Sequence, residues 1–266
     1  MFGDNAQVAF RFFLAFIFIS FYNLFVKRPS KLPKEAIRKA AVLGVAFGAV
    51  VLLFTISVNN TKIANSVFLL YAGSIISSLL VGTIMLKEKI DGIKLAAIGL
   101  ALFGLFMYSS ALLALSIGVV TGLLAGLLDG ISNGVRKTLK GYDRNAVLQY
   151  QFIFGALFGV IMVLISSEVT VKEVGALPIL AGIVFALLQI SLGNLLLYGF
   201  QHFDVNVGTV ILATELLFAT LIGWFFFSEL PSINEVFGGI IIFAASILSV
   251  IDPKEVRKFF SKQATA

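Results

Sequence analysis

The sequence predicts an all-α, polytopic transmembrane bundle of about nine helices, and three observations support this fold class. Hydrophobic residues make up 59% of the 266 residues and charged residues only 13%, whereas a soluble domain has about 45–50% and about 25%. The mean hydropathy of +1.02 leaves too few polar side chains for a water-exposed surface. The apolar residues form long runs, whereas the strands of a membrane barrel would alternate in segments of about ten residues.

Each run approaches the length that crosses a hydrocarbon core of about 30 Å at about 1.5 Å per residue. In chain order, the nine runs span about 8–26, 37–58, 63–86, 92–110, 116–136, 147–166, 177–201, 205–228 and 234–251. The first run is a retained helix rather than a signal peptide, because Asp4 precedes it and Lys27 and Arg28 follow it. Turn-forming residues separate the runs, namely Pro33, Asn59–Asn60, Asp91–Gly92, Gly141–Asp143, Pro231 and Asp252–Pro253.

The positive charges are divided unequally between the two sides of the membrane. If the runs alternate in direction, Arg11, Lys62 and Lys172 lie on one side and the other seventeen of the twenty lysines and arginines on the opposite side. The positive-inside rule makes the lysine-rich side cytoplasmic. We therefore expect an integral protein of the plasma (inner) membrane with an external amino terminus, a cytoplasmic carboxy terminus and a basic cytoplasmic tail over 253–266.

The composition excludes several classes of function. With no cysteine and one histidine, the chain has no disulfide, no catalytic thiolate and no histidine-based metal cluster. It carries no phosphate-binding loop, zinc-protease motif or serine-hydrolase elbow, so we expect neither an enzyme nor a bound cofactor or metal. The net charge of +6 lies in short loops, which indicates topology rather than a nucleic-acid partner.

Two segments of the chain resemble each other. Residues 64–108 and 206–249 each contain a long apolar run, a glutamate (Glu88 and Glu229), a short turn and a glycine-bearing run. The first turn is lysine-rich and falls on the cytoplasmic side, while the second falls on the external side by alternation. The copies therefore run in opposite senses, and such an inverted repeat is typical of secondary transporters with a site at the repeat interface.

These motifs resemble the drug/metabolite transporter superfamily, and in particular its EamA-like family, over essentially the whole chain. The matching positions are Lys87-Glu88 with Ala97, Ser228-Glu229 with Gly238, the glutamate at Glu215, and the aromatic residue at Tyr71. Ile75 and Leu216 stand where the family has prolines, so no proline kink is expected at either position.

The resemblance implies ten helices in two bundles of five, of which this chain supplies four and five. Residues 1–112 would form the first repeat without the family's first helix, and residues 113–252 the second. A late-annotated start, a truncated gene and a genuine nine-helix variant each account for the difference, and we favour a truncation or a misplaced start.

The resemblance also implies a function. We expect a secondary transporter that moves a small organic metabolite, an amino acid or an amphipathic solute, across the bilayer by alternating access, in the export direction. The alternatives are a non-transporting membrane scaffold or an inactive truncated transporter; an ion channel would need a continuous polar pore lining. Because one helix is lacking, a second copy could be needed to close the bundle, as a homodimer.

Glu215 is the leading candidate for a substrate-binding or coupling residue. It falls near the middle of its apolar run, where an ionised carboxylate costs about 2.5–3.5 kcal/mol on insertion scales. It either binds a cationic group or couples transport to protons, or it is a hydrogen-bonded glutamate that joins two helices.

Further polar candidates share helix faces. Asp129 and Asn133 lie on one face, with Arg136 in reach of Asp129, which also fits a local self-satisfied polar cluster. The other candidates form two stripes, Tyr71, Ser74 and Ser78 on the third run and Asn194 and Tyr198 on the seventh. Polar stripes face a bundle interior or a cavity, although hydrogen bonds between helices would also explain them.

Glycines recur every four residues on the fifth run. The ladder consists of Gly118, Gly122, Gly126, Gly130 and Gly134. Small residues at this spacing allow a second helix to approach closely, so we interpret the ladder as a packing surface.

Overall fold

A computed structural model describes residues 3–26, 29–61, 63–108, 116–167, 175–227 and 230–251. Within these ranges the chain is helical, without strands, which confirms the predicted fold class. The helices are α1 (Asp4–Phe25), α2 (Lys34–Asn60), α3 (Ile63–Leu80), α4 (Gly92–Tyr108), α5 (Ile117–Thr138), α6 (Arg144–Ser166), α7 (Ala176–His202), α8 (Val205–Leu212), α9 (Glu215–Phe227) and α10 (Ile233–Val250). Glu229 and the expected tail over 253–266 lie outside the described residues.

The described helices are those of an integral membrane protein. Seven of them are long and apolar enough to cross a membrane, and the shorter apolar helices Gly92–Met107 and Val205–Phe218 complete the predicted set of nine runs. Several begin at side-chain caps: the Ser116 hydroxyl accepts from the Val119 N–H, and a capping box links Ser232 with Glu235.

Contacts between the helix ends show which ends lie together. Asn59 of α2 donates to Asp4 of α1 at 2.9 Å, and Asn5 of α1 donates to Ser166 of α6 at 3.0 Å. The start of α1 and the ends of α2 and α6 therefore lie together at one end of the bundle. We call the other end, at which α1, α3, α5 and α7 finish, the basic end, and the first one the opposite end. Since α3 finishes at the basic end and α8 begins there, the related helices α3 and α8–α9 run in opposite senses, as the inverted repeat requires.

The packing pairs follow an approximate two-fold relation. Exchanging α1 with α6, α2 with α7, α3 with α8–α9 and α4 with α10 maps the packed pairs α1–α6, α4–α10 and α3–α8 onto themselves. The same exchange maps α2–α6 onto α7–α1, which also pack. Helix α5 is the exception, because no described helix is its counterpart.

The eighth run, predicted as one span over 205–228, is divided into α8 and α9 at Ala213 and Thr214. Here the backbone tightens: the Thr214 N–H donates to the Ile211 carbonyl and the Leu216 N–H to the Ala213 carbonyl. The Thr214 hydroxyl donates to the Ile211 carbonyl as well, at 2.7 Å. A short i→i+3 stretch with threonine back-bonding interrupts the helix here without a proline.

Candidate functional site

The candidate site lies along the seam, which we define as the surface where α3 packs against α5 and α8 and contacts Glu215, the first residue of α9. Tyr71, Ser74 and Ser78 follow one face of α3 on successive turns, and all three are buried. Each contacts a different partner in the second half of the chain. The seam is therefore a line of polar contacts between the two halves.

The first contact joins Tyr71 to Glu215. The Tyr71 hydroxyl donates to Glu215 Oε2, and Glu215 opens α9 near the middle of the broken eighth run. Tyr71 is 5% exposed, whereas Glu215 lies on an exposed surface. Among the ion pairs of the described residues none involves Glu215, so its carboxylate has a hydroxyl partner and no cation.

The second contact joins Ser74 to Asp129 of α5. Asp129 Oδ2 accepts from the Ser74 hydroxyl at 2.7 Å and from Asn133 Nδ2 at 3.1 Å. Arg136 approaches Asp129 to 3.8 Å and donates to Asn133 Oδ1. Its guanidinium also lies 4.8 Å from the ring centre of Phe47.

Arg136 is 1% exposed and Asn133 is fully buried. The sequence had left open whether this group binds a solute or satisfies itself. The guanidinium, the amide and the carboxylate pair with one another and compensate the Asp129 charge, although the buried Arg136 Nη2 has no hydrogen-bond partner among the described residues. Glu215, by contrast, has no cationic partner among the described residues and accepts from the Tyr71 hydroxyl.

The third contact joins Ser78 to Thr209 of α8, whose hydroxyls lie 2.8 Å apart with both residues fully buried. Thr209 also donates to the Val205 carbonyl at 2.8 Å. The sequence pattern did not single out Thr209, because one threonine in an apolar run carries no periodic signal.

The glycine ladder brings α5 against α2 and α3. A Cβ added at Gly118 would meet Asn60 of α2 at 3.0 Å. A Cβ at Gly130 would meet the Ser74 carbonyl at 2.5 Å and the Ser78 nitrogen at 2.7 Å. Gly122 lies against both α2 and α3, Gly126 against α3, and Gly134 against Val81 just after α3. This close backbone approach places the Asp129 carboxylate within reach of Ser74.

Asn194 and Tyr198 do not reach the seam. Asn194 donates weakly to the Ile190 carbonyl of its own helix and lines a separate groove of about 1000 Å³ between α1 and α7. Tyr198 is 51% exposed, with its ring tilted by 43° against that of His202 and 5.2 Å from the Arg144 guanidinium. Helical spacing placed these two residues on one stripe but could not show which neighbour that stripe faces.

A charged cluster at the basic end was also missed as a site. Asp204 accepts from Lys94 at 2.8 Å and from Lys137 at 2.9 Å, and Lys137 also donates to Glu88 at 2.6 Å. Partial burial opposes ionisation of Asp204, but the hydrogen bonds from the two lysines outweigh it and lower the pKa of Asp204. Within the described ranges no three acidic or histidine side chains gather as a metal site would require.

Comparison with known proteins agrees with this architecture. The family model of the EamA-like transporter family matches residues 2–110 and 116–251. A solved structure titled "Crystal structure of protein" superposes with a TM-score of 0.74 at 15% identity, over 94% of this chain and 88% of the other. That likeness shows the fold. No curated protein matches the chain significantly. With the family model covering nearly all of an all-helical membrane chain, the protein belongs to the EamA-like transporter family and is a membrane transporter.

Proposed function

We propose that the protein is a secondary transporter for a small organic solute that carries an amine, either an amino acid or an amphipathic amine. The observation that carries the proposal is the Glu215 carboxylate, which faces Tyr71 across the seam and has no cationic partner among the described residues. An unpaired carboxylate at mid-span is costly unless it is protonated or binds a cation. An ammonium group satisfies it, and the Tyr71 ring beside it suits an organic cation.

The seam also supports alternating access. Its hydrogen bonds at Ser78–Thr209 and Ser74–Asp129 join the first half to the second, and both are neutral or singly charged contacts that water or a solute can replace. Rocking of one repeat against the other would open the seam to one side at a time. The proposal places the basic end in the cytoplasm, following the lysine excess, and makes export the direction of net transport.

The first experiment is a liposome uptake screen over amino acids, sugars and quaternary amines, with Glu215→Gln as the test variant. We expect an amine-bearing solute to be transported, and Glu215→Gln to lower its apparent affinity by about tenfold or more, because a charge-assisted contact is lost. Glu35→Gln is the matched control, since Glu35 forms an exposed ion pair with Lys39 on α2. Unchanged transport and an unchanged pH profile in Glu215→Gln would remove Glu215 from the mechanism.

The proposal includes a homodimer in which the partner covers the exposed face of α7 and α9. Leu192 of α7 is 47% exposed and Phe218 of α9 is 56% exposed. Because the chain has no cysteine, Leu192→Cys can be crosslinked in membranes without background, and we expect a covalent dimer. Leu164→Cys on α6, which is 73% exposed, is the control; equal crosslinking of both variants would indicate random collision and contradict the dimer.

A further inference from the structure

The charged cluster at the basic end connects elements from both halves of the chain. Glu88 follows α3, Lys94 lies in α4, Lys137 lies in the last turn of α5, and Asp204 precedes α8. Their contacts form a chain from Glu88 through Lys137 and Asp204 to Lys94, with donor–acceptor distances of 2.6, 2.9 and 2.8 Å. One network therefore ties four elements together where the seam meets the basic end.

Glu88 is the centre of this network. Its side chain is 5% exposed. Oε1 accepts from Lys137 Nζ at 2.6 Å and from the Val205 N–H at 2.9 Å, and Oε2 accepts from Asn206 Nδ2 at 3.0 Å. A carboxylate from the first half thus caps the amino terminus of α8 in the second half, where unpaired N–H groups and the helix dipole favour an anion.

The backbone after α3 is shaped to place this carboxylate. The helix continues through a π-helical turn, Val81–Met85, and the chain reverses at Lys87, which has a φ of 55°. The Glu88 N–H then donates back to the Gly82 carbonyl at 2.8 Å. A non-glycine residue in the left-handed region is strained. The strained turn at Lys87 is the one that directs the chain so that Glu88 follows directly after it.

Gly82 provides the space for the contact. A Cβ at Gly82 would lie 2.6 Å from Asn206 Nδ2 and 2.7 Å from Glu88 Oε2. Gly82 is one turn beyond Ser78, whose partner Thr209 is one turn beyond Asn206. The Glu88 contact is therefore the next contact along the seam after Ser78–Thr209, on the side of the basic end.

We propose that Glu88, Lys137, Asp204 and Lys94 form a latch that closes the seam at the basic end, and that the seam opens to that side when the Glu88 carboxylate leaves the amino terminus of α8. This inference rests on the proposed alternating access. The inference adds to alternating access the identity of the contact that must break, between Glu88 and the amino terminus of α8. The structure described here has the latch closed.

The test measures access to the seam without using any solute. In the cysteine-free chain, Ser78→Cys places one thiol just beyond the latch, and its reaction with a membrane-impermeant maleimide is timed from each side in oriented vesicles. Adding Glu88→Gln removes the charge, and we expect labelling from the basic end to accelerate about tenfold or more, because charge-assisted hydrogen bonds bias equilibria by about that factor. Glu35→Gln, on the same background, should leave the rate unchanged.

A second pair of variants keeps every charge. Gly82→Ala forces Glu88 and Asn206 apart and should also accelerate labelling from the basic end, whereas Gly92→Ala, whose Cβ would meet nothing within 4 Å, should not. Equal rates in Glu88→Gln and Glu35→Gln, or in Gly82→Ala and Gly92→Ala, would overturn the latch. If the latch variants change access but no solute in the uptake screen is carried, the proposed function fails while the latch stands. If a solute is taken up but the latch variants leave access unchanged, the latch fails while the proposed function stands.

Discussion

Equivalent faces of the two halves are buried to very different degrees. Aligning α2 with α7 end to end pairs Val50 with Leu192, and the first is 5% exposed while the second is 47% exposed. Aligning Glu88 with Glu229 pairs Ser77 of α3 with Phe218 of α9, at 5% and 56%. The first-half face is covered by α5, whereas no described helix covers its counterpart.

The difference shows what the glycine ladder does. On the covered side, Gly126 of α5 would place a Cβ 2.8 Å from the Leu69 carbonyl. On the open side, Gly199 of α7 occupies the position that corresponds to Ser57 of α2, and its Cβ would meet nothing within 4 Å. Small residues on a helix matter energetically only where a second backbone uses the space. The open side also leaves Glu215 exposed, whereas its counterpart Ser74 is fully buried.

The largest expected effect compares the two acidic residues of the seam. Asp129→Ala on the covered side leaves the buried Arg136 without its counter-charge, and losing one partner of a buried pair costs about 3–5 kcal/mol in the free energy of unfolding. Glu215→Ala on the open side leaves no unpaired cation, so we expect a much smaller loss. Thermal unfolding in detergent measures both.

Adding Arg136→Met to Asp129→Ala should recover part of the lost stability, because the uncompensated charge is then gone. No recovery in the double variant would mean that Asp129 acts through Ser74 and Asn133 instead of through Arg136. Equal destabilisation by Asp129→Ala and Glu215→Ala would contradict the contrast between the two sides.

The second prediction compares two glycines. Gly126→Ala must displace backbone atoms of α3, and overpacking of this kind costs about 1–3 kcal/mol. Gly199→Ala fills open space on α7 and replaces glycine by a better helix former, so it should leave the unfolding temperature unchanged or raise it slightly. The comparison uses detergent-solubilised monomer, in which no partner subunit covers α7; if Gly199→Ala were as damaging there as Gly126→Ala, another part of the same chain would cover this face.

Much of the fold could be predicted from the sequence because helix length and polarity are local properties. Each of the nine predicted runs overlaps a helix of the structure, and the reversal of the repeat followed from counting turns. The break at Thr214 could not be predicted, since it depends on a hydroxyl back-bonding to Ile211 where no proline marks the chain. Polarity likewise could not show that α5 covers α2 while no described helix covers the equivalent face of α7.

The site was predictable to the extent that its residues share a helix face. Tyr71, Ser74 and Ser78 follow helical spacing, and mid-span acidic residues stand out in an apolar chain. Thr209 and Glu88 were not predicted as functional residues because their partners are distant in sequence: Ser78 and Thr209 are 131 residues apart, and Glu88 is 49 residues from Lys137 and 117 from Val205. Only the fold brings such residues together.

A third, smaller effect sharpens the comparison with two serines. Ser78→Ala in the seam breaks a buried hydrogen bond to Thr209, which contributes about 0.5–1.5 kcal/mol. Ser191→Ala on the exposed face of α7 removes only a bond to its own helix, at the Leu187 carbonyl, and should cost almost nothing. A difference in unfolding temperature between the two variants is expected; none would mean that the seam hydroxyls are replaced by water without loss.

The smallest expected effect concerns the pH dependence of the charged cluster at the basic end of the seam. The charges that face Asp204 are Lys94 and Lys137, with Glu88 on the other side of Lys137. Because its pKa is lowered from the ordinary 3.8, the stabilisation from Asp204 is complete above that ordinary value and is lost as the pH falls through the lowered one. Maleimide labelling of Ser78→Cys from the basic end, corrected for the reactivity of a free thiol, should therefore not change between about pH 6 and about pH 8. A marked acceleration within that interval would mean that another group with a near-neutral pKa controls the latch, and Asp204→Asn would then leave the acceleration in place.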